Sequence, residues 1–522
     1  MHQALHLPEI ITAIVRAGKT EPGLLYSCLF VNKLFFSESC RILWKGCYGV
    51  FGVGHVTPKI SDLGNMVLRP DIGRERSQFY ADFIRVLVFQ EDEFSGEDDA
   101  RWHPQLRELR FPLLEDLNIW KTRSAEESNT EETILHYVHS GLRDLRVDAS
   151  GPLSDGFLDE ISRLCPRLQQ LDIDFKNVTI SKKGLARFLQ QMLSLEGIHV
   201  AALDKSWSAE AFAAVAKYER LKLLHVPAVH DTWFDILDSP LSSTFFPALK
   251  YLYCLDTTGK ALLRLHGINS RLEALHVYNG SIPSPEDVLP AAAQFTRLTN
   301  FRYQPGPNAH ITGQNLLKLA QSCPYLTSLS IGQDQATIPI GTDITDSVVY
   351  SLAQNLPSLR ELYLLHESPF PPSIASTLSA FSQHCPMLNT LDTSCGSDWT
   401  SFSTPHNKPL FPHLWTITLR PQSHMEEVLA EPEFNTLLRH FKQHAAEWFP
   451  RVEFFNIDDA DNWEQQLNDY MYDVGYKREH GSDAESNESG VAWNEDEDED
   501  GDLEGFDADL AGCVVPLDLS RD

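Results

Sequence analysis

The chain is 522 residues long, yet it contains no C-x-x-C pair, no run of eighteen apolar residues and no surplus of base over acid. Each shortage excludes something. Without C-x-x-C a zinc ribbon has no ligand pairs to build on, and nine cysteines in this length do not make a disulfide framework. Without a long apolar run no helix is expected to span a membrane. The first residues, "MHQALHLPEIITAIVRAG", lack a basic leading segment and a small-residue cleavage site, and Pro8, Glu9 and Thr12 interrupt their apolar run. A secretory signal is therefore not expected. These features predict a soluble protein, cytoplasmic and/or nuclear, with reduced thiols. Catalytic signatures are missing too: there is no G-x-S-x-G, no P-loop and no H-E-x-x-H, and the twenty histidines are scattered. A non-enzyme with no cofactor and no metal site is the expectation.

Base is scarce: 43 lysines and arginines stand against 73 acids, a formal charge of −30. From Glu479 to Asp522 sixteen acids face Arg521 alone, a net of −15, so half the excess lies in one tail. An acidic surface repels phosphate backbones, which disfavours nucleic acid as a partner.

What the sequence has in quantity is leucine at a recurring interval. Leu114, Leu142, Leu168, Leu195, Leu221, Leu249, Leu272, Leu298, Leu326, Leu359, Leu388 and Leu414 follow one another at gaps of 23–33 residues. Each opens L-x-x-[LIF]-x-[apolar or Thr], a short strand with alternating faces, and a period near 20–29 residues is the leucine-rich-repeat signature. A helical stripe precedes several of these strands: Leu158, Ile161 and Cys165; Leu316, Leu319 and Cys323; Leu378, Phe381 and Cys385; Val349, Leu352 and Leu356. Ser154, Thr312 and Thr345 are placed to cap those helices. The cysteine column alternates with Met192, Tyr218, Phe246, Phe295 and Phe411, so cysteine there reads as a buried hydrophobe at a joint rather than a metal ligand. The proline that often follows ends the helix.

The reading is thus an α/β chain of several parts. Residues 1–48 form a helical module, 49–83 a linker with a packing helix near Arg76 to Phe83, and 84–457 a curved solenoid with strands concave and helices convex. The stretch Phe83 to Phe89 would open the solenoid and Arg451 to Ile457 close it. A C-terminal capping helix over 458–478 and a disordered acidic tail over 479–522 complete the chain. The tail is either a solubilising segment or an arm for a basic partner.

In the first 48 residues Pro8 suits a first helical turn, Leu7, Ile10, Ile11 and Ile14 share a face, and Gly18 can end the helix. Helices are predicted over Leu24 to Val31 and Phe36 to Trp44. Such a module either caps the first repeat or carries an interface of its own. Leu7-Pro8-Glu9-Ile10-Ile11, Val31-Asn32-Lys33-Leu34-Phe35 and Leu43-Trp44 resemble the F-box, with Phe35 where tryptophan is usual and a weak match through "AGKTEPG". The repeats behind it resemble the cysteine-containing leucine-rich repeats of F-box proteins. The resemblance implies a substrate receptor of an SCF-type cullin–RING ubiquitin ligase. It further implies a Skp-type adaptor held by Leu7, Pro8, Ile11, Ile14, Leu29, Val31, Leu34, Leu43 and Trp44, and a protein target on the solenoid. The alternative is a non-ligase scaffold holding a basic protein through solenoid and tail.

Alternation along the strands places a further column on the concave face, running from Asn118 through Arg146, Asp172, His199, His225, Tyr253, His276 and Arg302 to Thr418. Asp144, Asp148 and Asp174 make its early part acidic, and Tyr251 and Tyr278 make its middle aromatic. His199, His225, Tyr251, Tyr253, His276 and Tyr278 are the expected target-binding residues, because rigid aromatics with polar tips suit interface hot spots. Ordinary histidines there would titrate between about pH 6 and 7.

Overall fold

The computed structural model describes residues 8–18, 22–48, 58–69, 73–90, 99–122, 130–149, 153–175, 179–200, 205–237, 245–279, 287–306, 309–332, 338–368, 370–396, 410–421, 449–452 and 454–457. The expected capping helix over 458–478 and the tail over 479–522 lie outside the described residues.

The chain opens with three helices, α1 (Pro8–Ala17), α2 (Pro22–Cys28) and α3 (Lys33–Leu43). Prolines begin the first two, where a missing N–H leaves no bond unmade. Asn32 sets the start of the third: its side chain accepts from the backbone N–H groups of Leu34 and Phe35, at 2.9 and 3.1 Å. That cap starts the helix three residues before the position expected from its apolar spacing. Ile11, Val15, Leu25, Cys28, Phe35 and Leu43 form a small core of the module's own.

Two further helices follow in the stretch read as a linker, α4 (Ile60–Leu68) and α5 (Gly73–Ala81). Asp62 accepts from the backbone N–H of Lys59 at 3.0 Å and so closes the first turn of α4. The polar face of α5 reaches the first repeats: Gln78 donates to the Arg110 carbonyl and Arg74 to the Glu108 carbonyl, both at 2.7 Å.

The repeats build one fifteen-stranded parallel sheet whose strand order follows the chain. It begins earlier than expected. Gly46–Cys47, just after α3, pairs with Val86–Gln90, so the sheet's first strand lies before residue 49. The last strand is Phe454–Ile457. A separate parallel pair, His310–Thr312 with Ile340–Thr342, sits in the turns after two of the strands.

The leucine column explains the stacking. From Leu114 to Leu414 every one of those leucines is buried, as is each apolar residue three positions on, from Leu117 to Ile417. At roughly 25 cal/mol per Å² removed from water, this continuous stripe is the dominant attraction between neighbouring repeats. Just beyond each leucine from Leu114 to Leu388 a carbonyl accepts twice from the next unit. Arg143 and Asp144 both donate to Glu115, Gln169 and Gln170 both to Arg143, and Glu196 and Gly197 both to Gln169. The outer layer is helical for most units, as in Asp155–Leu164, Gly313–Ser322 and Ile374–His384; between Leu223–Val229 and Tyr251–Thr257 the short 3₁₀ turn Asp231–Ile236 replaces a full helix.

Ser154 and Thr312 cap their helices, accepting from the N–H groups of Phe157 and Asn315. Thr345 stands at the expected position but turns its hydroxyl to Ser347 Oγ at 2.9 Å instead. At the other end, Cys165, Cys323 and Cys385 share one non-helical cap conformation, with ψ of 59°, 63° and 67°, and each is followed by a proline that cannot continue the helix. Their thiols do more than fill space. Cys165 Sγ lies 3.2 Å from the His139 carbonyl, Cys323 Sγ 3.4 Å from that of Phe295, and Cys385 Sγ 3.3 Å from that of Leu356. Each acceptor holds the same place in the preceding repeat. The cysteine is a small side chain that also satisfies a buried carbonyl. Burial pushes all three thiols up to about 12, so they stay protonated. Among the described residues no cluster of three or more histidines, cysteines or acids could hold a metal, and no helix is long and apolar enough to cross a membrane.

Candidate functional site

Two surfaces concentrate the groups a partner would recognise. The first is the helical module. Leu7 lies outside the described residues, and Pro8 opens α1. Ile11 and Leu43 are in the module's core, so neither presents a side chain to a partner. Leu29 is partly buried against both this core and that of the repeats. Trp44 also turns inward, stacked on Tyr80 of α5 with ring centres 4.6 Å apart. These four therefore hold the module together or join it to the repeats, and Phe36 on Phe79 at 5.9 Å adds to that joint. Ile14, Val31 and Leu34 are exposed, and four residues outside the expected set join them: Ile10, Leu24, Tyr26 and Phe30. Phe30 is 88% exposed, which is costly for an aromatic side chain in a free protein. A helical stripe in the sequence could reveal that these faces are apolar. It could not reveal which half of each stripe the neighbouring helix covers.

The second surface is the face of the sheet that carries the alternate strand residues. The register is the one the leucine spacing predicts. Asp172 pairs with His199, His199 with His225, His225 with Tyr253, Tyr253 with His276, and His276 with Arg302. His199 Nδ1 is 2.7 Å from Asp172 Oδ1. Its ring stacks on His225, whose other neighbour is Tyr253 with ring centres 5.7 Å apart. Tyr253 meets His276 edge to face at 4.3 Å. His276 Nε2 is 2.8 Å from Asn300 Oδ1, and the Arg302 guanidinium lies 5.1 Å from the centre of the Tyr278 ring. Tyr251 and Tyr278 flank this row and are half-buried. All six expected residues thus stand on four neighbouring strands of one face.

Their electrostatics differ from the expectation. Burial pulls His276 down to about 4, and burial with the nearby His199 and His276 holds His225 well below the ordinary histidine value. Both are neutral between pH 6 and 7, because a crowded sheet face disfavours the charged ring. Burial also pushes the Tyr253 phenol up to about 12. At the acidic end, burial and then Asp144 push the Asp116 carboxyl up to about 7, against the pull of Arg146.

No family model matches the sequence, and no curated protein does. Solved structures that this chain partly resembles include the crystal structure of the Rad7 and Elc1 complex in yeast, at 13% identity and a TM-score of 0.34, over 76% of this chain and 92% of that one. Another is a leucine-rich-repeat protein of Leptospira interrogans, at 14% identity and a TM-score of 0.35, over 71% of this chain and 75% of that one.

Proposed function

We propose that the chain is the substrate-recognition subunit of an SCF-type cullin–RING ubiquitin ligase. The helical module docks on a Skp-type adaptor and, through it, on the cullin. The polar and aromatic face of the sheet receives the target protein. Ubiquitin transfer then follows from proximity supplied by the assembly, with no catalytic residue in this chain.

The observation that carries this reading is the distribution of apolar side chains in the module. A helical cap would spend its apolar residues on the first repeats. Here Phe36, Cys40 and Trp44 suffice for that contact, a separate core holds the three helices together, and seven large apolar residues remain outside both. An apolar surface of that kind on so small a unit fits a partner better than it fits water.

The test is co-purification of the full chain with a Skp-type adaptor and cullin. Wild-type protein should retrieve both, and Phe30→Glu with Leu34→Glu should retrieve neither while keeping the wild-type melting temperature. Retrieval undiminished by those two substitutions, or a wild-type chain that retrieves no adaptor, would remove the reading.

A further inference from the structure

Three arginines stand on the recognition face of the sheet among the described strands, and two of them show what a guanidinium needs there. Arg146 makes a double contact with Asp144: Nε to Oδ1 at 3.2 Å and Nη2 to Oδ2 at 3.1 Å. Arg420 does the same with Asp392, at 2.9 and 3.2 Å. Both pairs are the two-pronged geometry that a planar fork of donors and a carboxylate adopt together.

Arg302 has no such partner. It sits between His276 and Ser330 in the same column, with its guanidinium over the Tyr278 ring. No carboxylate among the described residues lies within ion-pair distance, and its Nε is buried without a hydrogen-bond partner. A buried donor left unmade costs about 1–3 kcal/mol, more when it belongs to a charged group. His276, its neighbour, cannot act as a counter-ion, being a neutral ring held by Asn300. In a chain of formal charge −30 an arginine without an acid is not explained by any shortage of carboxylates.

We propose that Arg302 is the anchor for an oxyanion presented by the target: the carboxylate of an acidic side chain or a phosphate. Either group would complete the double contact that Asp144 and Asp392 supply to the other two arginines, with Tyr278 beneath the guanidinium as a rigid floor. The proposal rests on the reading that this face receives the target, and it adds the chemistry of one contact. The overall negative charge works against any anion at long range. At 0.15 M salt that repulsion is screened beyond about 8 Å, whereas a contact at Arg302 is not.

The experiment uses the full chain at 0.15 M salt and two labelled probes followed by fluorescence anisotropy: a hexaglutamate peptide and a glycine-serine peptide carrying one phosphoserine. Saturable binding of at least one is expected, and the probe that binds identifies the oxyanion. Arg302→Gln should weaken it by about tenfold or more, the loss expected for a charge-assisted double contact. Arg302→Lys, which keeps the charge but not the fork, should weaken it by less. Arg297→Gln, at an exposed position beside the repeat joint, should leave it unchanged. If neither probe binds wild-type protein, or if Arg302→Gln binds as well as wild type, the proposal fails. Adaptor co-purification of the same Arg302→Gln protein is read separately. Its persistence alongside lost anion binding separates this contact from the module's docking function.

Discussion

The imidazole rings of His199 and His225 lie face to face, with centres 4.1 Å apart and planes 10° from parallel. Asp172 closes one end of this pair and Tyr253 the other. Two rings so close cannot both carry charge without strong repulsion, and the crowded member, His225, is held neutral.

That arrangement makes stability depend on pH in a definite direction. His225, His276 and His366 have folded values below the ordinary 6.5, the last two near 4 and all three chiefly through burial. Below 6.5 the unfolded chain binds protons that the folded chain refuses, so stability is full above that value and is lost as pH falls toward 4. Each such histidine contributes about 1.4 kcal/mol per pH unit within that window. Urea unfolding midpoints should therefore drop steadily from pH 7 to pH 5, and His225→Phe should flatten part of the slope. An unchanged slope in that variant would show that His225 is not the buried base described.

Asp116 acts in the opposite sense. Its folded value near 7 lies above that of an unfolded aspartate, so the neutral form is favoured on folding. Its contribution is full below about 3.8 and is lost as pH rises through 7. Asp116→Asn should stabilise the protein at pH 8 by about 1–3 kcal/mol, and by much less at pH 5. Equal gains at both values would point to packing rather than charge.

The cysteines permit a chemical test. All eight in the described residues are buried, and the repeat-joint thiols stay protonated far above neutral pH. Since the thiolate is the nucleophile, mass-spectrometric mapping after iodoacetamide should find these eight unmodified in native protein and modified in urea. Rapid native labelling of Cys165 or Cys385 would contradict the joint geometry.

Much of this was legible in the sequence because period and register are linked. The leucine interval fixes which residue of one strand lies beside which of the next, so the pairing of His225 with Tyr253, and of His276 with Arg302, could be read before any coordinates. Gly46–Cys47 could not: two residues carry no periodicity, and their strand exists because Val86–Gln90 offers an edge. Nor could the charge states of His225 and His276, which depend on how closely neighbouring strands crowd the rings. The helical module was legible as three helices but not as faces. Ile10 and Ile11 are adjacent and equally apolar, and only the position of α3 decides that Ile11 is inside and Ile10 outside.

That inside–outside division predicts two different failures in the module. Ile11→Ala removes buried volume from a core of six residues and should destabilise the module by about 2–5 kcal/mol, seen as early hydrogen exchange over residues 8–44. Phe30→Glu should leave exchange there unchanged. Should Phe30→Glu also open the module, that ring would belong to its core.

Arg420 and Asp392 provide the internal contrast for Arg302. Their double contact is mostly shielded from water, with side-chain exposures of 16% and 10%. Removing the cation would leave Asp392 charged, half-desolvated and without its fork, and breaking such a pair costs about 3–5 kcal/mol. Arg420→Met should accordingly lower the unfolding free energy by an amount in that range. Arg302→Met removes an arginine from the same face but strands no carboxylate, and it relieves an unsatisfied Nε. Its effect on stability should be under about 1 kcal/mol in either direction. Urea denaturation of the two variants side by side decides the matter. Equal, large losses would mean that Arg302 is held by an acid of this chain after all, and that its fork is not available to a partner.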